Sequence, residues 1–188
     1  GFLTDPAWVE IARSFKGVLG GWKNQSGQLL STNEKVAYVG YDEDALYFGL
    51  VSFIDDYSAL VTGETVWMDD HFEVHLQNKA GEHFQLGVTS SGARGIGRLD
   101  KIFRFESAVQ LEEEKWTAEI AIPWKDIRVS PEPGTEIRFN VAGRDYADGW
   151  VTWGPTYGDF HVPEKFAISG VMRTDIVNSD WSSDTAAI

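Results

Sequence analysis

Short runs of alternating apolar and polar residues fill most of this chain. Alternation with a period of two is the pattern of a β-strand that has one buried face. Eight such runs, each bounded by Gly, Pro, Asn or Asp, lie at 36–41, 45–53, 71–77, 82–90, 102–110, 115–122, 137–144 and 166–171. Because hardly any helical pattern separates them, the sequence predicts an all-β fold. We expect an antiparallel β-sandwich of two sheets, jelly-roll or immunoglobulin-like, rather than a parallel sheet with crossover helices.

One short helix is predicted before the first strand. Asp5 can cap its N-terminus, Pro6 suits its first turn, and apolar residues recur at helical spacing from Trp8 to Phe15. Residues 123–127 are expected to add a single helical turn between two strands.

The length, charge and cysteine content narrow the functional classes. A chain of 188 residues forms about one domain, and its net charge of −13 is opposite to that of a protein that binds nucleic acid or an anionic membrane surface. The absence of cysteine excludes disulfides, thiol catalysis and cysteine-ligated metals. We expect one domain at 1–174 and a tail or linker at 175–188, excised from a larger protein whose secretion signal is not in this chain.

Two neighbouring runs place polar side chains together on one sheet face. The short segment 78–81 between them predicts a hairpin, so the two outward rows should lie side by side. These outward residues are His71, Glu73, His75, Gln77, His83 and Gln85. A solvated face is one interpretation. A transition-metal site is another, but its ligands would have to converge more closely than side chains two apart on a strand.

Two glutamates are candidates for a catalytic pair of carboxylates. Glu73 and Glu119 could act as acid and base in glycoside hydrolysis, yet no feature of the sequence sets their separation. We therefore expect no catalytic residues.

A second concentration of rings lies in segment 149–163, where aromatic and imidazole side chains stand among glycines and prolines. Flat apolar rings with polar neighbours suit a sugar, because the ring face stacks on C–H groups while polar side chains bond the hydroxyls. Tyr157 and Phe160 are expected to be exposed there. Trp150 and Trp153 are expected to cover one end of the sandwich.

Six motifs in order resemble the family 9 carbohydrate-binding modules and the wider DOMON-like sandwiches. The resemblance runs from about Asp5 to Val171, and the motifs lie at 5–8, 37–47, 67–74, 116–127, 137–141 and 160–166. It implies a non-catalytic β-sandwich that binds sugars, often the reducing ends of polysaccharides, beside a secreted glycoside hydrolase. It also implies structural calcium, for which acidic turns at 42–44, 55–56, 69–70 and 145–148 could supply oxygen ligands.

The resemblance also assigns individual residues. Trp67 matches the tryptophan that forms one wall of the sugar slot, and Glu73 matches a carboxylate that bonds sugar hydroxyls. Phe160, or His161, stands where the family has a second tryptophan wall. Gln85 replaces a family arginine, and Tyr157 replaces a loop asparagine. Together with the sheet face, the candidate sugar-binding residues are Trp67, His71, Glu73, His83, Gln85, Tyr157, Phe160 and His161.

The sequence thus predicts an extracellular carbohydrate-binding module fused to a catalytic domain or other modules. Its partner is an oligosaccharide or polysaccharide, with no nucleic acid and no membrane, and calcium is the one cofactor expected. Two alternatives stay open. One is a haem-binding DOMON-type domain, with Met68, His71, His75, His83 or His161 as the axial ligand. The other is a structural accessory domain whose sugar site has degenerated.

Overall fold

The computed structural model describes residues 3–14, 17–30, 33–63, 65–97, 103–132 and 135–169, which form one helix, two short 3₁₀ turns and twelve strands. Helix α1 spans Pro6–Ser14, and the 3₁₀ turns span Tyr57–Ala59 and Pro163–Lys165. The strands are β1 (Val18–Leu19), β2 (Lys23–Asn24), β3 (Lys35–Tyr41), β4 (Ala45–Phe53), β5 (His71–Gln77), β6 (His83–Thr89), β7 (Arg94–Ile96), β8 (Glu106–Leu111), β9 (Lys115–Pro123), β10 (Ile137–Asp145), β11 (Gly149–Thr152) and β12 (Ala167–Ser169).

These strands form two sheets in which every pairing is antiparallel. The smaller sheet has the order β1-β3-β4-β9-β8, and the larger sheet has the order β2-β11-β10-β5-β6-β7 with β12 also paired to β10. The predicted antiparallel β-sandwich with one short helix is confirmed.

The core lies between the two sheets. Phe48 of the smaller sheet meets Phe139 of the larger sheet with ring centroids 5.6 Å apart, and Phe72 meets Trp116 at 4.7 Å. Phe72, Val74 and Leu76 of β5 all point into this core, as their alternation predicts. The other face of the larger sheet is therefore left for polar residues.

Most of the predicted element bounds lie close to the observed ones. Asp5 accepts a hydrogen bond from the N–H of Ala7 (2.8 Å) at the start of α1, as expected of a cap. In the predicted run 102–110, residues 103–105 precede the strand, which begins at Glu106, and residue 102 lies outside the described ranges. The expected helical turn at 123–127 is a hydrogen-bonded turn, closed by the N–H of Asp126 donating to the carbonyl of Pro123 (2.9 Å).

Four short strands escaped the sequence analysis, namely β1, β2, β7 and β11. No strand was predicted within 149–163, but 149–152 pairs with β10 and extends the larger sheet. The predicted boundary near 174 and the tail beyond it lie outside the described residues. Within the described ranges, no helix has both the length and the apolar character needed to cross a membrane.

Candidate functional site

A cleft of about 350 Å³ opens on the outer face of the larger sheet. Glu73 lies at its floor, in register with Ala142 on one neighbouring strand and Gly87 on the other. Ala142 adds only a methyl group beside the carboxylate, whereas Trp67 occupies the space above Gly87. Glu73 lines the cleft although the residue is only 2% exposed.

Trp67 forms one wall of this cleft from the turn that precedes β5. It lies over Gly87 and Gly95, which are paired across β6 and β7. A Cβ on Gly87 would lie 2.8 Å from Cζ3 of Trp67, and one on Gly95 would lie 3.4 Å from Cζ2. The missing side chains make the space that the indole fills.

Trp150 lines the same cleft from β11, and 39% of its surface is exposed. The imidazole of His71 lies between the two tryptophans, edge to face with Trp67 at 5.7 Å and with Trp150 at 5.9 Å. Phe160 contacts Trp150 in turn, with ring centroids 5.9 Å apart. Two partly exposed indoles therefore stand beside one buried imidazole.

The carboxylate of Glu73 collects hydrogen bonds from three side chains. Nε2 of His71 lies 2.9 Å from its Oε1, Nε2 of His75 lies 2.9 Å from its Oε2, and the amide of Gln85 donates to Oε2 (2.7 Å). Nδ1 of His71 meets the carbonyl oxygen of Asp69 at 2.8 Å. Since a carbonyl oxygen only accepts, Nδ1 of His71 carries a proton and donates to Asp69. The hydrogen bond between Nε2 and Glu73 needs a second proton, which lies between these two groups.

These contacts also set the charge of Glu73. Burial raises the pKa of this carboxyl group, but hydrogen bonds and positive charge from His71 and His75 outweigh burial and hold the pKa of Glu73 well below its usual range. The floor of the cleft therefore carries an ionised carboxylate at neutral pH.

The rim of the cleft continues this network through His161. Because Gln85 turns its amide nitrogen toward Glu73, its Oε1 accepts a hydrogen bond from Nε2 of His161 (2.9 Å). Nδ1 of His161 lies 2.5 Å from Oδ1 of Asp159. Gln25 closes the opposite side by donating to the carbonyl of Gly158 (2.7 Å).

The histidine-rich face is covered rather than solvated. His71, Glu73 and His75 are at most 2% exposed. Trp67 and Trp150 pack on His71, and Phe160 and Phe166 pack on His75. The interpretation of these residues as a solvated face was therefore wrong, although the face itself was assigned correctly.

Five of the predicted residues line the cleft, namely Trp67, Glu73, Gln85, Phe160 and His161. The other three do not. His71 lies beneath the two indoles, and His83 contacts Nδ1 of His75 (3.2 Å) away from the lining. Tyr157 is 70% exposed, as expected, but its ring lies against Gly27 outside the cleft. The expectation that Phe160 is exposed was wrong: it is 6% exposed, because its ring packs on His75 and Trp150.

Five lining residues were missed, namely Gln25, Gly97, Trp150, Gly158 and Asp159. The expectation that Trp150 covers one end of the sandwich was wrong. Trp153 does cover the sandwich, since its ring stacks on Phe139 with centroids 5.5 Å apart. The signal in the sequence was the alternation of 149–152, which places Trp150 and Thr152 on one face and Val151 in the core.

The other predicted chemistries find less support. Glu119 lies on the outer face of the smaller sheet, where it accepts a hydrogen bond from Nε1 of Trp8 (2.8 Å), so the core separates it from Glu73. Nε2 of His71 and of His75, which would have to ligate haem iron, is engaged by Glu73. Across the described ranges, no three His, Asp or Glu side chains are placed to hold a metal ion. The expectation of structural calcium stays a prediction.

Known proteins resemble this chain over most of its length. It is 29% identical to the endo-1,4-beta-xylanase A of Thermotoga neapolitana over 139 residues, which cover 67% of this chain but only 13% of the xylanase. A carbohydrate binding module of family 9 from Caldicellulosiruptor kristjanssonii, solved with glucose, has a TM-score of 0.59 at 14% identity and matches 81% of each chain. The structure of a family 9 module from that organism with cellotriose has a TM-score of 0.56 at 14% identity, over 73% of this chain and 70% of that one.

A family model matches residues 1–166, nearly the whole of the described part of the chain and all of the elements that build the cleft. The sandwich, the ordered motifs and this match agree, and the chain belongs to the carbohydrate family 9 binding domain-like family.

Proposed function

We propose that this domain binds carbohydrate without transforming it, and that the end of a sugar chain enters the cleft between Trp67 and Trp150. The observation that carries the proposal is the pair of partly exposed indoles above a buried, hydrogen-bonded carboxylate. Indole faces stack on the C–H groups of a sugar ring, while Glu73 and Gln85 can bond its hydroxyls. Each oxygen of a carboxylate accepts two hydrogen bonds, so Oε1 of Glu73 retains capacity for a ligand hydroxyl.

The size of the cleft limits the ligand and its affinity. A volume of about 350 Å³ suits one or two sugar units rather than a long chain segment. Two stacked rings and a few hydrogen bonds supply roughly 4–8 kcal/mol, which corresponds to dissociation constants in the micromolar to millimolar range.

A role beside a catalytic domain is part of the proposal. The match to a xylanase supports it, since the matched segment is a small part of that enzyme. The chain would then act outside the cell, holding the parent enzyme on a polysaccharide. The wide separation of Glu73 and Glu119 supports a non-catalytic role, because paired glycosidase carboxylates face one site.

Replacing Trp67 by Ala tests the proposal. Loss of one stacking wall should abolish measurable binding of glucose, xylose and cellotriose in isothermal titration calorimetry, while the melting temperature changes little, since the ring is partly exposed. Tyr57→Ala, which removes an exposed ring elsewhere on the surface, is the matched control and should bind like the wild type. Unchanged affinity in Trp67→Ala would exclude the cleft, and a wild type that binds no sugar would favour the degenerate accessory domain.

A further inference from the structure

The side-chain amide of Gln85 joins the floor of the cleft to its rim. Its Nε2 donates to Oε2 of Glu73 (2.7 Å), and its Oε1 lies 2.9 Å from Nε2 of His161. An ionised carboxylate only accepts hydrogen bonds, so the amide nitrogen has to face Glu73 and the amide oxygen is the atom that faces His161. Nε2 of His161 is therefore the donor in the second bond.

Gly97 provides the space that this amide occupies. A Cβ on Gly97 would overlap with Oε1 and Cδ of Gln85, and the N–H of Gly97 donates to the carbonyl of Gln85 (3.1 Å). Gln85 is only 6% exposed, so its side-chain amide depends largely on protein partners for its hydrogen bonds. Loss of the bond from His161 would leave Oε1 to find a new partner by rotation of the side chain or from water.

The rim holds the imidazole of His161 in the orientation that this bond needs. Oδ1 of Asp159 accepts a hydrogen bond from the backbone N–H of His161 (2.8 Å) and lies 2.5 Å from its Nδ1. The ring of His75 packs edge to face against the imidazole, with centroids 5.4 Å apart. Because Nδ1 is directed at Asp159, Nε2 on the other side of the ring is directed at Gln85.

The orientation of Gln85 decides which atoms of the floor meet a ligand. Oε2 of Glu73 accepts from both His75 and Gln85, whereas Oε1 keeps capacity for a ligand hydroxyl. A Gln85 side chain that is ordered before the ligand arrives keeps this division between the two oxygens. It also spares the ligand the loss of side-chain entropy that ordering the amide on binding would cost.

We propose that His161 is a positioning residue of the sugar site, which acts through Gln85 to hold the polar floor ready for a ligand. This proposal rests on the proposed function, because it concerns the same cleft. The rim and the floor are then coupled, since Asp159 orients His161, His161 orients Gln85, and Gln85 occupies one oxygen of Glu73.

Three substitutions of His161 test the donor. His161→Gln keeps an N–H at about the position of Nε2, His161→Asn places its amide near the position of Nδ1, and His161→Ala has neither. His161→Ala and His161→Asn should raise the dissociation constants of glucose, xylose or cellotriose by about three- to ten-fold in titration calorimetry, which is the cost of ordering one side chain. His161→Gln should stay within about two-fold of the wild type. Unchanged affinity in His161→Ala, or equal losses in His161→Gln and His161→Ala, would overturn the proposal.

A double-mutant cycle separates positioning from direct contact with the sugar. Gln85→Met removes the amide but keeps the length of the side chain. If His161 acts through Gln85, adding His161→Ala to Gln85→Met should raise the dissociation constant by less than about two-fold. A further loss as large as that in the wild-type background would mean that His161 contacts the sugar itself, which overturns the proposal.

A measurement without sugar distinguishes failure of this proposal from failure of the proposed function. In nitrogen–proton NMR spectra of the ligand-free protein, the side-chain amide signals that Gln85→Met lacks belong to Gln85. In His161→Ala these signals should move toward those of exposed glutamines, while the melting temperature shows that the variant is folded. Unchanged signals would overturn the proposal, even if Gln85→Met binds sugar too weakly for the cycle. A wild type that binds no sugar would refute the proposed function, and the amide signals would still show whether His161 holds Gln85.

Discussion

At the scale of single residues, two glycines determine where one wall of the cleft can lie. Trp67 packs on Gly87 and Gly95, which carry no side chain, and a Cβ on Gly87 would also lie 2.6 Å from Cγ1 of Val66. Contacts that close are not seen in folded proteins, so alanine at position 87 would force Val66 and Trp67 to shift. The orientation of the wall is thus decided on strands that contribute no side chain to it.

Trp150 and Tyr157 provide a matched pair of aromatic truncations. Trp150 lines the cleft, whereas Tyr157 is more exposed but lies outside it. Trp150→Ala should weaken sugar binding by about ten-fold or more, since a stacking face is lost. Tyr157→Ala should change affinity by less than about two-fold, because its ring packs on Gly27. Titration calorimetry on both variants checks this. A larger loss of affinity in Tyr157→Ala than in Trp150→Ala would place the sugar at Tyr157 instead of in the cleft.

At the scale of elements, a buried ion pair joins the two sheets at one end of the sandwich. Lys35 begins β3 and Asp145 ends β10, and Nζ of Lys35 lies 2.6 Å from Oδ2 of Asp145 with both side chains no more than 3% exposed. The ammonium also donates to the carbonyl of Asn33 (3.1 Å), whose side-chain amide donates to Asp145 (3.0 Å). Each sheet therefore supplies one charge of a pair that neither sheet could bury alone.

Lys35→Met should destabilise the domain strongly. Removing the ammonium leaves the buried carboxylate of Asp145 without its cation, which costs about 3–5 kcal/mol of unfolding free energy. Lys115→Met is the matched control, because its partner Glu112 lies 3.9 Å away at the surface, and exposed pairs contribute less than about 1 kcal/mol. Urea unfolding of both variants checks the difference. Equal losses would mean that the buried pair contributes no more than the exposed one.

At the scale of the whole molecule, three buried carboxyl groups link stability to pH. Burial raises the pKa of Asp145, but the positive charge and hydrogen bond of Lys35 hold it below its usual range, as the histidines do for Glu73. Burial raises the pKa of Asp70, against opposing hydrogen bonds from the N–H groups of Val61 and Tyr146. A carboxyl group whose pKa is lower in the folded state adds stability above its unfolded pKa, and this stability is lost as the pH falls. Asp70 acts in the opposite direction.

Acid should therefore destabilise the domain, and Glu73 should account for part of the loss. Between pH 6.5 and pH 3.5, Glu73 binds a proton in the unfolded chain, because unfolded glutamates have a pKa of about 4.3. In the folded protein Glu73 stays ionised over this interval. Glu73→Gln should be less stable than the wild type at pH 6.5 but should lose less stability across this interval. Glu136→Gln, at an exposed position, should follow the wild type. Urea titrations at the two pH values measure the unfolding free energy of each protein. If Glu73→Gln loses as much of it as the wild type, Glu73 does not account for the loss in acid.

The sequence alone determined eight of the twelve described strands, the faces of the longer ones and several residues of the candidate site. Alternation is local, since each residue of a strand points opposite to its neighbour whatever the partner, so Phe72 could be assigned to the core and Glu73 to the other face. The ordered motifs identified Trp67, and alternation placed Gln85 on the outward face; both residues line the cleft.

Only the tertiary structure decided what those faces meet. His75 packs against the rings of Phe160 and Phe166, which lie more than 80 residues further along the chain, and the pairing of Lys35 with Asp145 spans 110 residues. Trp150 lines the cleft because β11 pairs with β10 and so joins the larger sheet. With four residues, β11 is too short to give a clear alternation of apolar and polar residues. Periodicity reports the direction of a side chain, whereas burial and pairing depend on distant segments that no local pattern encodes.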